Sequence, residues 1–282
     1  MKKTDIHTPD FIIVGTMKSG TTSLKQHLTN HKRVHLAYKE LQFFSRKQNF
    51  QKGLEWYQEE LTKGWKEGAK IIGEKTPEYA HNPYTPRRIS ESFPDVKLIW
   101  VFRNPIDRSY SNYMHNLRYG EEVYSFEKAL QKEKRNKRDP YLHYLKRSTY
   151  HEQVQNFLDF FPKEQMLFVL FEDLIQPYGP DHVLNEVFQF LEVSPQDFDF
   201  DEEPRNKTIL PRFPYSLYLA KKWGLTKSFK MNRFLNYMNF SNKKPGYQKL
   251  SQSQREKLVD YFKPHNEKLA ALIGKDLSIW NQ

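Results

Sequence analysis

Short apolar runs alternate with stretches of helical periodicity along most of this chain. Four runs have the length and composition of buried strands, and they lie at residues 11–14, 70–73, 96–102 and 166–171. The helical pattern predicts helices from about residue 21 to 30, at 52–63, from Pro83–Pro86 to about Ser92, from Pro105, at 148–161, at 181–192 and from Ser251 to Gly274. The alternation predicts an α/β fold in one domain over residues 1–282, with a mostly parallel central sheet flanked by helices and ligands at the carboxyl ends of the strands.

Three segments lack this regularity. Residues 31–50 and 195–204 read as loops, and residues 131–147 read as a surface loop or a helix end. The terminal helix begins with an S-x-x-Q capping box at Ser251. Pro264 lies inside that helix and is a candidate for a break, because proline removes a backbone donor and clashes with the preceding turn.

The first predicted strand leads into a loop that is typical of phosphate binding. Residues 11–24 read FIIVGTMKSGTTSL, so an apolar run meets a small-residue loop with one lysine, Lys18, before two threonines open a helix. The backbone N–H groups of such a loop, the positive end of the helix dipole and the lysine ammonium converge on an oxyanion. The alternative is an ordinary tight turn between a strand and a helix.

This loop differs from the Walker A motif of ATP and GTP hydrolases. That motif places its lysine directly after the second glycine, whereas here Gly20 is followed by Thr21 and the lysine comes earlier. Those hydrolases also hold Mg²⁺ with an aspartate at the end of another strand. Here the run at 96–102 is followed by Arg103, which suits a phosphate that is contacted directly, without a metal ion.

The loop GTMKSGTTSL resembles the 5′-phosphosulfate loop of the sulfotransferases that use 3′-phosphoadenosine 5′-phosphosulfate (PAPS). Residues 103–113, RNPIDRSYSNY, resemble the 3′-phosphate motif of the same family. The similarity continues in order through KELQFF, EKTPEY, FEDL and LIGKDLSIW, and it is greatest to the glycan-modifying (heparan-sulfate-type) and bacterial members. It implies a fold like that of the P-loop NTPases, PAPS as co-substrate, adenosine 3′,5′-bisphosphate (PAP) as product, and no required metal.

The resemblance also assigns nucleotide-binding residues. Those implied at the 5′-phosphate are Lys18, Ser19, Gly20, Thr21 and Thr22. Those implied at the 3′-phosphate are Arg103 and Ser111. Two later loops resemble loops on the cofactor side of bacterial and glycan-modifying members. They would contribute Arg212, Lys243, Lys244 and Gly246 to the cofactor site. The alternative is that both are solvated loops.

Sulfuryl transfer to a hydroxyl also requires a base within hydrogen-bond reach. Glu40 in KELQFF matches the carboxylate that glycan-modifying relatives use as general base, and Lys75 in EKTPEY matches the family's second active-site lysine. Relatives that act on small phenols and steroids use a histidine after a Lys-Thr pair, where this chain has Pro77. The open alternatives are another base, His81 or His115, and a structural ion pair of Lys75 with Glu74 or Glu78.

The net charge of +11 is concentrated in one segment. Residues 205–250 hold 11 Lys and Arg, no acidic residue and nine aromatic residues, whereas residues 1–204 hold 29 basic and 30 acidic residues. One interpretation is that this segment faces an anion, namely an acceptor, the cofactor, a membrane surface or nucleic acid. The alternative is a solvated basic face with a buried aromatic side. Together with a glutamate base, the segment favours a saccharide acceptor, acidic saccharides included, over a small phenol.

Composition weighs against several other function classes. There is no run of 18 apolar residues for a transmembrane span, no apolar signal core precedes the first strand, and there is no cysteine for disulfides or thiolate metal sites. The ten histidines show no metal-ligand spacing, and no nucleic-acid-binding motif is present. The family resemblance implies a cytoplasmic PAPS-dependent O-sulfotransferase, and this is the function we expect. The alternatives are a P-loop kinase that uses ATP and a polyanion-binding module.

Overall fold

The chain packs into two compact units. A computed structural model describes residues 8–135, 140–175, 181–198, 213–240 and 250–282. The unit that contains every strand of these ranges, here called the sheet unit, comprises residues 1–103, 150–203 and 268–275. The other, here called the helical unit, comprises residues 104–149, 204–267 and 276–282. That residues 1–282 act as one domain stays a prediction.

The sheet unit is built on a five-stranded parallel sheet, which confirms the predicted α/β class. Its strands are β1 (Phe11–Gly15), β2 (Val34–Leu36), β3 (Ile71–Lys75), β4 (Lys97–Phe102) and β5 (Met166–Leu170). They lie in the order β2-β3-β1-β4-β5, so β1 is central and its neighbours are β3 and β4. Consecutive parallel strands need crossover connections, and helices provide them along the chain.

Two strand predictions need correction. The strand β2 lies within residues 31–50, which the sequence pattern assigns to a loop. It has only three residues, with His35 in the middle, so it shows no apolar run, although all three are buried. The strand β3 continues to Lys75, two residues beyond the predicted end. Glu74 and Lys75 are therefore buried strand residues and not loop residues.

In the described ranges the chain forms twelve α-helices. They are α1 (Thr21–Asn30), α2 (Lys47–Phe50), α3 (Gly53–Thr62), α4 (Thr85–Ser92), α5 (Pro105–Arg118), α6 (Phe126–Lys134), α7 (Tyr150–Leu158), α8 (Phe171–Leu174), α9 (Asp181–Leu191), α10 (Pro214–Lys222), α11 (Phe229–Phe240) and α12 (Gln252–Ile273).

Both faces of the sheet are covered, because alternate residues of each strand point in opposite directions. On one face Ile13 packs in a buried cluster with Leu24 of α1 and Val187 of α9. On the other face the ring of Trp100 lies 4.9 Å from that of Phe157 of α7. The strands therefore have the continuous apolar runs that are typical of a buried parallel sheet.

The sequence pattern misses helices in both units and describes one incompletely. In the sheet unit, α2 lies in a segment predicted as a loop and α8 begins at Phe171, the predicted last residue of a strand. In the helical unit, most of α6 and all of α10 and α11 have no predicted counterpart. The capping box of α12 is confirmed, since Ser251 N donates to Gln254 Oε1 at 3.2 Å and Gln254 N donates to Ser251 Oγ at 3.3 Å. The helix does not break at Pro264 but continues to Ile273, followed by Gly274 at φ 72°.

Candidate active site

Three neighbouring strands of the sheet unit carry the candidate site where they end. The strand β1 runs into the loop at residues 16–20, β3 ends at Lys75, and β4 is followed directly by Arg103. Because Ile13 pairs with Lys75 in the parallel register, the end of β3 lies beside the start of the loop. The residues predicted at this edge are therefore brought together by the topology of the sheet.

Hydrogen bonds of its own hydroxyl groups hold the loop between β1 and α1 in place. Thr16 Oγ1 donates to the carbonyl oxygen of Val101 at 3.0 Å and lies 2.6 Å from Ser19 Oγ. Both residues are buried, so the Ser19 hydroxyl is engaged within the loop. Thr21 is buried as well, whereas Thr22 is exposed at the start of α1.

The backbone of the loop takes two left-handed turns. Lys18 has φ 70°, and Gly20, which precedes α1, has φ 90°. A Cβ at Gly20 would lie 2.5 Å from the ring of Phe171, so the position needs glycine for both conformation and space. Gly20 has no side chain that could accept a hydrogen bond from the first backbone N–H groups of α1. An anion bound at this end of the helix could accept those hydrogen bonds instead.

Arg103 reaches the same loop from β4. Its Nη1 lies 3.4 Å from the carbonyl oxygen of Lys18, and its guanidinium lies 4.7 Å from the centre of the Phe171 ring. The hydroxyl of Tyr150 donates to the Arg103 carbonyl at 3.0 Å. One aromatic ring therefore packs against both Gly20 and Arg103.

The second half of the predicted 3′-phosphate clamp lies elsewhere in the chain. Ser111 is a half-buried residue of α5 in the helical unit, and its pairing with Arg103 stays a prediction. The predicted residues Arg212, Lys243, Lys244 and Gly246 lie outside the described residues.

Lys75 and Glu40 form an ion pair at the edge of the sheet. Lys75 Nζ lies 2.6 Å from Glu40 Oε1, and the side chains are 8% and 40% exposed. Lys75 Nζ also lies 3.4 Å from Oγ1 of Thr22, which belongs to the first turn of α1. The lysine therefore connects the phosphate-type loop and the candidate base, whereas the alternative partner Glu74 accepts hydrogen bonds from hydroxyl groups.

The comparison with known families decides the identity of this constellation. The family model described as "Sulfotransferase domain" matches residues 8–277. This chain belongs to the sulfotransferase family. The match spans nearly the whole sequence, so the resemblance drawn from the motifs is confirmed.

Relatives and a solved structure agree with the family assignment. The chain is 25% identical to "Membrane-associated sulfotransferase kil1" of Dictyostelium discoideum, over 97% of this chain and 67% of that protein. It is 27% identical to human "Heparan sulfate glucosamine 3-O-sulfotransferase 5", over 96% of this chain and 73% of that protein. The crystal structure of a sulfotransferase from Alicyclobacillus acidocaldarius superposes with a TM-score of 0.72 at 26% identity, covering 98% of this chain and all of that one.

Lys25 lies beside the candidate site and is not among the residues that the sequence pattern indicates. Its Nζ donates to the carbonyl oxygens of Ala37 at 2.6 Å and Tyr38 at 3.1 Å, just before Glu40. Burial, and next the positive charge of Lys75, lower the pKa of Lys25, while Glu40 acts in the opposite direction. Its position one turn after Thr21 and Thr22 on α1 is the signal that could have found it.

The alternative histidine bases have other surroundings. His81 is half-buried beyond β3. His115 belongs to α5 of the helical unit, where its ring lies 4.6 Å from that of Tyr119. Glu40 is the candidate base for which the structure gives an ion pair with Lys75, so it stays the candidate base of the sheet unit.

The described part of the basic segment shows where its aromatic residues lie. Helices α10 and α11 pack on each other through Leu217, Ala220 and Leu235. The large side chains that remain exposed include Tyr215, Trp223, Phe234 and Tyr237. The alternative that the aromatic side of this segment is buried is therefore wrong for these four residues. Residues 213–240 also contain five Lys and Arg and no acidic residue.

None of the helices in the described ranges is long and apolar enough to cross a membrane. Within those same residues, no group of three or more His, Asp or Glu side chains is arranged to hold a metal ion.

Proposed function

We propose that this sulfotransferase moves the sulfuryl group of PAPS to a hydroxyl group of a saccharide, with Glu40 as general base. One observation carries the proposal: Lys75 contacts both Thr22 of the phosphate-type loop and the Glu40 carboxylate. A nucleotide site and a proton acceptor are thus joined by one buried cation.

The residues at the end of β1 fit a nucleotide phosphate. The helix α1 begins without a side-chain cap, Lys18 adds a positive charge in the loop, and Arg103 lies at the loop's edge. When bound, PAPS supplies an activated sulfuryl group on its 5′-phosphate. Lys18 would neutralise charge on the oxygen that leaves, and Thr21 and Thr22 would donate backbone N–H groups.

The Glu40 half of the site would handle the acceptor. Glu40 is exposed enough for an acceptor hydroxyl to reach it, and Lys75 holds one carboxylate oxygen at 2.6 Å. The other carboxylate oxygen would accept the proton as the acceptor oxygen attacks sulfur. Lys75 also offers positive charge near the transferred group, which lowers the cost of charge that develops in the transition state.

A saccharide acceptor is supported by the relative that is named for heparan sulfate glucosamine and by the surface of the helical unit. The exposed rings of α10 and α11, which alternate with basic side chains, suit a sugar chain that carries negative charge. Cytoplasmic location stays a prediction, and one relative is described as membrane-associated.

An acceptor screen with ³⁵S-labelled PAPS tests the proposal. The panel should contain acidic and neutral oligosaccharides, glucosamine oligosaccharides with free or acetylated nitrogen, and a phenol. We expect label on a saccharide oxygen, in the absence of Mg²⁺. Transfer to the phenol alone, transfer to nitrogen alone, or phosphate transfer from Mg²⁺·ATP would each contradict the proposal.

A further inference from the structure

Glu74 carries a buried carboxyl group beside the candidate site. The proposed transfer reaction assigns no role to this group. Glu74 is fully inaccessible at the end of β3 and directly precedes Lys75. Three hydroxyl groups donate to it: Thr76 Oγ1 at 2.7 Å, Tyr57 at 3.0 Å and Tyr79 at 3.0 Å. A backbone N–H donor, that of Leu41, completes the set.

Two of these hydroxyl groups, those of Thr76 and Tyr79, also hold the segment that follows Glu40. Gln42 N donates to Thr76 Oγ1 at 3.4 Å. Phe43 N donates to the Tyr79 hydroxyl at 3.0 Å, and Phe44 N lies 3.5 Å from it. Four successive backbone N–H groups, from residue 41 to residue 44, therefore end on Glu74 or on a hydroxyl group that Glu74 itself orients.

The backbone of this segment needs such support. Gln42 has φ 50°, a left-handed conformation that costs free energy for a residue other than glycine. Conformations of this kind persist only where the surroundings over-determine them. Here the surroundings are the Glu74 carboxyl group together with Thr76 and Tyr79, whose hydroxyl groups donate to Glu74 and accept from this segment.

We propose that Glu74 is a positioning residue, which fixes the backbone of residues 41–44 and thereby holds the Glu40 carboxylate against Lys75. This inference rests on the proposed function, in which Glu40 is the base. A base acts only within hydrogen-bond distance of the proton that it removes. An exposed carboxylate on a loose loop would sample many positions, whereas here the residue after Glu40 is bonded to a rigid strand.

The chemistry of the buried group agrees with this role. Burial raises the pKa of Glu74 to about 7, and its hydroxyl and N–H donors act in the opposite direction. Every donor that is lost leaves a buried oxygen less satisfied. The carboxyl group and the 41–44 backbone therefore stabilise each other.

Tyr79→Phe and Tyr57→Phe form a matched pair for the test. Each tyrosine is fully buried and donates to the same Glu74 oxygen at 3.0 Å. Only Tyr79 also accepts the backbone N–H groups of Phe43 and Phe44. Both variants keep the aromatic ring and lose one hydrogen bond to Glu74. Thermal stability, read by circular dichroism, should fall in both and further in Tyr79→Phe, because two backbone N–H groups also lose their acceptor.

The readouts are hydrogen–deuterium exchange at residues 41–44 and steady-state kinetics of the full chain. Tyr79→Phe should speed exchange in this segment and lower kcat about tenfold, with KM for PAPS unchanged, since a 1 Å misplacement costs up to about 10²-fold. Tyr57→Phe should leave exchange at residues 41–44 as in the wild type and kcat within about twofold of it, because the base is not displaced. Glu74→Gln should resemble Tyr79→Phe with a larger loss.

Three results would overturn the inference. One is unchanged exchange at residues 41–44 in Tyr79→Phe. Another is an equal loss of kcat in Tyr79→Phe and Tyr57→Phe, which would indicate general destabilisation. The third is a wild-type chain that binds PAP but transfers no sulfuryl group, which would remove the proposed function as well. In that case the exchange comparison would still report whether the network holds the segment.

Discussion

The two halves of the candidate site are held in place by different means. Most of the phosphate half is a continuous stretch of chain, shaped by left-handed turns at Lys18 and Gly20 and by the hydroxyls of Thr16 and Ser19. Arg103 reaches this stretch from the end of β4. The Glu40 half depends on the backbone of residues 41–44, which is held by the buried Glu74 and its partners Thr76 and Tyr79. A local backbone fold fits an oxyanion, whereas a buried polar network can fix an exposed carboxylate. Substitutions in the two halves should therefore separate nucleotide binding from turnover.

Lys18→Ala should have the largest effect. Removing the positive charge of the loop should lower kcat on the order of 10³-fold, the upper range for the loss of one group that stabilises transition-state charge. PAP affinity should fall as well, because the phosphate half is damaged. The measurement is labelled transfer together with calorimetric titration of PAP, and near-wild-type turnover would remove Lys18 from the reaction.

Glu40→Gln should affect the other half alone. Loss of the base should lower kcat on the order of 10²-fold. PAP affinity should stay at the wild-type level, since Glu40 contacts Lys75 and not the loop. An unchanged rate would move the base to another residue, and weakened PAP binding would show that the two halves are not separable.

Arg103→Ala should change nucleotide selectivity more than turnover. A charge-assisted hydrogen bond to phosphate is worth roughly 2 kcal/mol, so the preference for PAP over 5′-AMP should fall about tenfold or more. Arg87→Ala is a suitable control, because Arg87 is exposed and pairs on the surface with Glu91 of the same helix. Equal affinity of the wild type for PAP and 5′-AMP would already count against the assigned clamp.

The last effect concerns the free energy of unfolding, and not turnover or binding, and it depends on pH. Burial raises the pKa of Glu74 from 4.5 to about 7, so between these values the folded chain retains a proton that the unfolded chain releases. The contribution of Glu74 is therefore present below about pH 4.5 and is lost as the pH rises towards 7, by at most about 1.4 kcal/mol for each pH unit.

Urea unfolding of the wild type and Glu74→Gln at several pH values from 4.5 to 8 measures this effect. The difference between their free energies of unfolding should shift in favour of the variant as the pH rises. A difference that does not change with pH would show that the Glu74 carboxyl keeps an ordinary pKa in the folded chain.

Much of the sheet unit could be predicted from the sequence because its signals are local. The strands β1, β4 and β5 are apolar runs, and the loop after β1 carries its glycine, lysine and threonines within a few residues. The strand β2 has three residues and a central histidine, so it has no comparable signal. In α12 the helix continues through Pro264, since tertiary packing can override local propensity.

From the sequence, the residues of the Glu40 half could be predicted only through the family resemblance. Glu40 and Lys75 are 35 positions apart in sequence, and no spacing rule brings them together. Tyr57, Glu74 and Tyr79 come from α3, the end of β3 and the segment beyond it, so their network depends on tertiary packing. Side chains that converge across such distances are found from a structure and not from a pattern.

Calorimetric titration of the wild-type chain with PAP and with ATP, each with and without Mg²⁺, tests the central claim most directly. We predict that PAP binds more tightly than ATP and that Mg²⁺ leaves its affinity unchanged, because in the proposed site Lys18 and Arg103 would contact the phosphates directly. Preference for Mg²⁺·ATP, or PAP binding that requires the metal, would contradict the account.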